Sequence, residues 1–238
     1  MEDFDALSSI PSPTAARPLL GLTVLVVEDS RYACEALRLL CLRSGARIRR
    51  ADCIASAKRH LQVYRPSVIL VDIGLPDGSG TDLIAELTAT SPRIDIIFGM
   101  SGDDIVYDDV MAAGADGFFA KPVESIAQFQ EAILALLPND RRPNGPRMLK
   151  DDVVTPDRLA YNDDLAHVAS LINEDYDEGQ VGYVAQFLTG VAKSARDDVL
   201  VRAAQELATA HATRQPTHQP VAALAGLVQQ RLDRSLAI

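Results

Sequence analysis

The sequence predicts an α/β protein, a doubly wound parallel sheet followed by a small all-helical bundle, and three observations carry that reading. Short apolar, β-branched runs alternate with helix-period segments five times within about 120 residues. Several of those runs stop at a charged residue followed by a loop, as in SVILVDIGLPDGSG, where Val68 to Val71 run straight into Asp72. A stretch rich in proline and charge, 138–152, then separates the alternating part from segments that are helical in period throughout.

Residues 1–18 carry Pro11, Pro13 and Pro18 among small and polar residues, and are expected to form a flexible leader. Residues 22–27, LTVLVV, read as a buried strand that ends at Glu28, Asp29 and Ser30. Residues 31–43 repeat apolar positions at helical spacing until Ser44-Gly45 stops them. The alternation continues with an amphipathic strand at 47–51, a helix at 54–64, the central strand at 68–71 and a helix at 81–90. It closes with a strand at 94–98, a helix at 105–113, a strand at 117–120 before Lys121-Pro122, and a helix at 125–137. An uninterrupted apolar run such as 68–71 suits a strand covered on both faces, and in open parallel sheets chemistry gathers beyond the carboxyl ends of the strands. Asp72 is therefore the leading candidate for a reactive group.

Beyond the linker, Thr155-Pro156 resembles a helix start, with Thr155 as N-cap and Pro156 in the first turn. Leu159, Leu165, Val168, Leu171 and Ile172 follow a helical period. Residues 181–191, 195–211 and 221–236 behave alike, and Leu200, Val201, Ala204, Leu207 and Ala208, with Leu224, Leu227, Val228 and Leu232, form the expected core stripes.

The net charge of −10 opposes attraction to nucleic acid or an anionic membrane, which reward clustered Lys and Arg. No apolar run approaches the roughly 20 residues that span a bilayer, and the start, MEDFDALSSI, lacks the marks of a secretion signal, so a cytoplasmic protein is expected. Cys34, Cys41 and Cys53 have no metal-binding or redox spacing and read as free thiols.

The loops after the first, third, fourth and fifth strands supply Glu28 and Asp29, Asp72, Ser101 and Lys121. Crowded carboxylates repel unless a cation neutralises them, and hard oxygen ligands with open positions suit Mg²⁺. Each residue alone has a plainer role: a surface lysine, a turn serine, an acidic pair at a helix N-terminus. Their joint placement at strand ends favours the magnesium site.

The segments VLVVEDS, VDIGLPDGSG, MSG and FFAKPV resemble the signature segments of response-regulator receiver domains, and the likeness covers residues 19–137. The resemblance implies a flavodoxin-like receiver in which Asp72 accepts a phosphoryl group from a phosphohistidine. It implies that Glu28, Asp29, Asp72 and the backbone carbonyl of Gly74 hold Mg²⁺, that Lys121 and Ser101 contact the phosphoryl group, and that Ser101 and Phe118 act as the switch pair. A phenylalanine at 118 lacks the hydroxyl of the tyrosine common there. Pro122 is expected in the cis form, and Gly74 and Asp103 sit where the family tunes dephosphorylation. The implied partner is a sensor histidine kinase or a histidine phosphotransfer protein, and the implied chemistry is confined to the receiver's own phosphorylation and dephosphorylation, so no separate enzyme activity is expected.

The module at 153–238 is less informative. From Lys150 onward thirteen acidic residues stand against eight Lys and Arg, which argues against a basic DNA-reading face. The expected role is contact with protein, either a partner or a second copy in a homodimer. The alternative is a divergent histidine phosphotransfer bundle with His211 in ELATAHATRQP as its histidine, although Pro216 stops that helix within two turns.

Overall fold

A computed structural model describes residues 12–145, 152–173 and 180–236; the predicted leader lies largely outside the described residues. The five main strands are β1 (Thr23–Val27), β2 (Arg47–Ala51), β3 (Val68–Asp72), β6 (Ile96–Ser101) and β7 (Gly117–Ala120), all parallel in the order β2-β1-β3-β6-β7. Helices α1 (Arg31–Ser44), α2 (Ile54–Val63), α3 (Gly80–Ala89), α4 (Tyr107–Ala112) and α5 (Ile126–Leu136) connect and flank them. The order reverses direction between β1 and β3, and at such a switch point the crossovers diverge and leave a crevice at the strands' carboxyl ends.

Side-chain alternation divides the sheet's two faces. Val24, Val26, Val68, Leu70, Ile96 and Phe98 face a core shared with α1 and α5, where Phe129 and Leu37 are buried. Leu25, Val27, Ile69, Val71 and Ile97 face the opposite core, closed by Leu83, Ile84 and Val110. All five residues of β3, Asp72 included, are buried, so its acid is delivered at the end of a dry strand.

The local signals act as read, with some boundaries moved. Ser30 caps α1 by accepting from the Ala33 amide, and Gly45, at φ 86°, closes it with its amide on the carbonyls of Cys41 and Leu42. Ser79 and Ser125 cap α3 and α5 in the same way. The fourth main strand starts two residues later than its apolar run predicts and takes in Gly99 to Ser101, because pairing continues with β3 to Met100 and with β7 to Ser101. A hairpin of two-residue strands, β4 (Gly74–Leu75) with β5 (Gly78–Ser79), sits in the loop after β3, where the sequence pattern predicts only a loop. There a Cβ on Gly80 would collide with the Asp72 carbonyl. Residues 104–106 form a single 3-10 turn ahead of a shortened α4.

Four further helices follow: α6 (Arg158–Asn173), α7 (Val181–Ser194), α8 (Asp198–Ala212) and α9 (His218–Leu236). The start of α6 differs from the Thr155-Pro156 reading, because Asp157 takes the capping role by accepting from the Leu159 amide. Leu159 is exposed and no part of the core, since the later start turns it outward. The remaining stripe residues do meet. Leu165, Val168, Leu188, Leu200, Ala204, Leu207, Leu224 and Val228 are buried together, with Val201, Ala208, Leu227 and Leu232 at the border. Between the two parts, Val154 buries itself in the α1–α5 core while its amide bonds the Glu124 carbonyl. Cys34 and Cys41 are free and buried, and Cys53 is free and half-buried.

Candidate functional site

Glu28, Asp29, Asp72, Gly74, Ser101 and Lys121 all line one cavity of about 360 Å³ at the carboxyl edge of the sheet. Registers Val27 with Val71, Asp72 with Met100 and Ser101 with Ala120 bring these strand ends level. The Lys121 ammonium lies 2.6 Å from Glu28 Oε2 and 2.9 Å from Asp72 Oδ1, so it bridges the two most enclosed acids. Burial pulls that ammonium down, but Asp72 and Glu28 outweigh it and hold it above the ordinary lysine range. Burial pushes the Glu28 carboxyl up to about 8 against the pull of Lys121, with the charges of Asp72 and Asp29 adding to the rise. Asp29 is pushed up to about 6, by burial first and the Asp72 charge second.

One carboxylate oxygen each from Glu28, Asp29 and Asp72 lies within 4.8 Å of the others. Three acids so close, with only Lys121 between two of them, need a further cation to ionise together, and an all-oxygen donor set fits a hard divalent ion such as Mg²⁺. The donor chemistry present therefore fits the predicted metal. The Ser101 hydroxyl accepts from the Asp103 amide at 3.1 Å and has an O–H left to donate.

Phe118 is placed apart from this cluster. It is half-buried against the α2–α4 core and meets Tyr107 edge-to-face, ring centroids 5.7 Å apart. Lys121-Pro122 is cis. His211, on α8, stands beside Gly182 rather than in the cavity, and none of the residues that line the cavity is a histidine.

Sequence reading missed the other wall. The helical module lies over the acids, and Gln186, Phe187, Thr189, Gly190, Lys193 and Ser194 of α7 line the same cavity. The Tyr183 hydroxyl donates to Asp29 Oδ2 at 2.7 Å, and the Lys193 ammonium donates to the Gly102 carbonyl. A Cβ on Gly74 would strike the Gln186 amide. Asp164 of α6, only 2% exposed, receives the Ser30 hydroxyl at 2.7 Å and the Arg31 and Tyr32 amides at 2.8 and 3.0 Å. It thereby anchors α6 to the first turn of α1, whose free amides and positive dipole end favour a carboxylate. The exposed pair Arg31 with Asp163, and exposed Arg196 with half-buried Glu124, border the contact.

A family model described as Response regulator receiver domain matches residues 24–133, and that stretch of the chain is a receiver domain. The chain is 28% identical over 137 residues to a probable transcriptional regulatory protein, TcrX, of Mycobacterium tuberculosis, with 56% of this chain and 58% of the relative covered. It is 28% identical over 138 residues to the KDP operon transcriptional regulatory protein KdpE of Escherichia coli, covering 58% of this chain and 61% of that one. The chain thus spans about three-fifths of the length of these relatives. A putative response regulator from Chloroflexus aurantiacus is similar in structure at 24% identity and a TM-score of 0.46, over 48% of this chain and 96% of that one.

Proposed function

We propose that the chain is a two-component response regulator whose receiver takes a phosphoryl group from a phosphohistidine donor onto Asp72. The observation that carries the reading is the convergence of Asp72, Lys121, Ser101 and two further acids on one cavity within a receiver domain. Lys121 holds Asp72 Oδ1, which leaves the other carboxylate oxygen to attack phosphorus. As the P–O bond to Asp72 forms, the P–N bond of the donor breaks and its electron pair returns to the imidazole. Lys121 neutralises charge on the phosphoryl oxygens, and the Ser101 hydroxyl donates to the new group. Glu28, Asp29, Asp72 and the Gly74 carbonyl would hold Mg²⁺, which supplies the remaining positive charge. The switch partner of Ser101 is Phe118, whose packing on Tyr107 would change as the loop after β6 draws inward.

The phosphoryl donor is a sensor histidine kinase or a phosphotransfer protein, and the receiver's chemistry is limited to its own phosphorylation and dephosphorylation. The helical module acts by protein contact, and the acidic balance beyond Lys150 supports an output other than DNA binding. Relay through His211 has no support from its position outside the cavity. Incubation with acetyl phosphate and Mg²⁺ is expected to label wild type and not Asp72→Asn; equal labelling of that variant overturns the assignment.

A further inference from the structure

Tyr183, Gln186, Gly190 and Lys193 are spaced three, four and three residues apart on α7, which places them on a single helical stripe. Each meets a different part of the receiver's catalytic edge: Tyr183 the acid after β1, Gln186 the glycine after β3, Gly190 and Lys193 the backbone after β6. Ser101 and Gly102 are consecutive, so the Lys193 ammonium is parked one residue from the hydroxyl that would bind a phosphoryl group. Beneath the stripe the cavity of about 360 Å³ persists, far more than the roughly 30 Å³ a water takes up in the liquid. The helix therefore roofs the acids without filling the space above them.

The three acids are also unequally served. Glu28 and Asp72 share Lys121, whereas the side chain of Asp29 takes its hydrogen bond from Tyr183. A carboxylate that ligates a metal through one oxygen is commonly oriented by a hydrogen bond to the other, and such outer partners change metal affinity by about 10–100-fold. Lys193 offers a charge on a flexible stem, held at present by a neutral carbonyl, in a pocket where phosphorylation would turn the single negative charge of the Asp72 carboxylate into about −2 on its phosphoryl group.

We propose that α7 forms part of the phosphoacceptor site, with Tyr183 as a positioning residue for Asp29 and Lys193 as a second cation for the phosphoryl group on Asp72. The proposal rests on the phosphoacceptor reading of Asp72. It makes ligand binding at the receiver depend on the docked position of the helical module, because the two residues reach the site only while α7 lies there.

The test uses the full chain and calorimetric titration, first with Mg²⁺ alone and then with beryllofluoride in excess Mg²⁺. Tyr183→Phe is expected to weaken Mg²⁺ about tenfold, with beryllofluoride binding falling in step. Lys193→Met is expected to leave Mg²⁺ affinity within about twofold and to weaken beryllofluoride about tenfold, the loss of one charge-assisted hydrogen bond, with recovery in Lys193→Arg. Thermal melts without ligand separate these effects from unfolding. Variants that bind both ligands as wild type does would remove α7 from the site, and variants that bind them more tightly would make α7 an obstruction; either result overturns the proposal and leaves the Asp72 assignment standing. Failure of that assignment looks different: wild type would bind no beryllofluoride, or Asp72→Asn would bind it equally well.

Discussion

The receiver and the helical module bury apolar side chains with similar thoroughness but spend their polar groups differently. In the receiver, Glu28, Asp72 and Ser101 are buried at strand ends and turned toward one cavity. In the helical module the buried core is apolar, and the polar groups that matter, Asp164, Tyr183 and Lys193, leave it to meet the receiver. Polar groups enclosed away from water must be satisfied by partners, so a contact built from them is specific in register and responds to changes of charge at the site it covers. A phosphoryl group on Asp72, as proposed, would thus meet a surface able to respond to its charge.

The comparison breaks most readily at the cores. Leu70 and Leu188 are both fully buried, the first in the sheet and the second in the bundle, and each cut to alanine is expected to cost about 2–5 kcal/mol. Because the bundle core shares no residue with either receiver core, Leu188→Ala should lower hydrogen-exchange protection in α7 and α8 more than in β3, and Leu70→Ala the reverse. Equal losses in both parts would show that they unfold as one unit.

A smaller effect sharpens the contact itself. Asp164→Ala leaves the Arg31 and Tyr32 amides without their carboxylate and is expected to cost about 1–3 kcal/mol. Ser30 still caps α1 through Ala33, so receiver strands should keep their protection while α6 loses protection. Spread of the loss into β3 would make Asp164 a receiver residue in all but sequence.

The smallest expected effect is the pH dependence of Asp29. Its folded-state value of about 6 lies above the ordinary carboxyl value of 3.8, so the folded form favours the protonated acid. Its contribution to stability is thus complete below about pH 4 and is lost as pH rises through 6. Asp29→Asn removes the charge and keeps an acceptor for Tyr183. In metal-free buffer the variant should gain on wild type by on the order of 1 kcal/mol between pH 4 and 7, measured by urea denaturation. Saturating Mg²⁺ should reverse the trend for wild type, since the ion favours the ionised acid.

How much was legible follows the distance over which each feature is encoded. The apolar run before Asp72, the serine caps and Gly45 act within a few residues, and the strands and helices of the receiver emerge where those signals stand. Ser101 lies inside its strand because pairing with β3 and β7 carries the sheet past the apolar run, which no local pattern announces. Tyr183 and Asp29 are 154 residues apart, and each alone reads as an ordinary surface group. The signal available was the polar stripe of 183, 186 and 193 on a helix otherwise apolar enough to be core, but its partner face belonged to another part of the chain. Phe118 stands on the strand its local pattern predicts, and its packing against Tyr107 arises from α4, whose shortened start the apolar spacing conceals.

The most direct measurement of the central claim is the mapping of phosphoryl attachment in the full chain by mass spectrometry after treatment with acetyl phosphate. The account predicts one phosphoryl group, on Asp72, formed in Mg²⁺ and lost when EDTA replaces the metal. Attachment at any other residue, or at Asp72 with equal yield in EDTA, would contradict it.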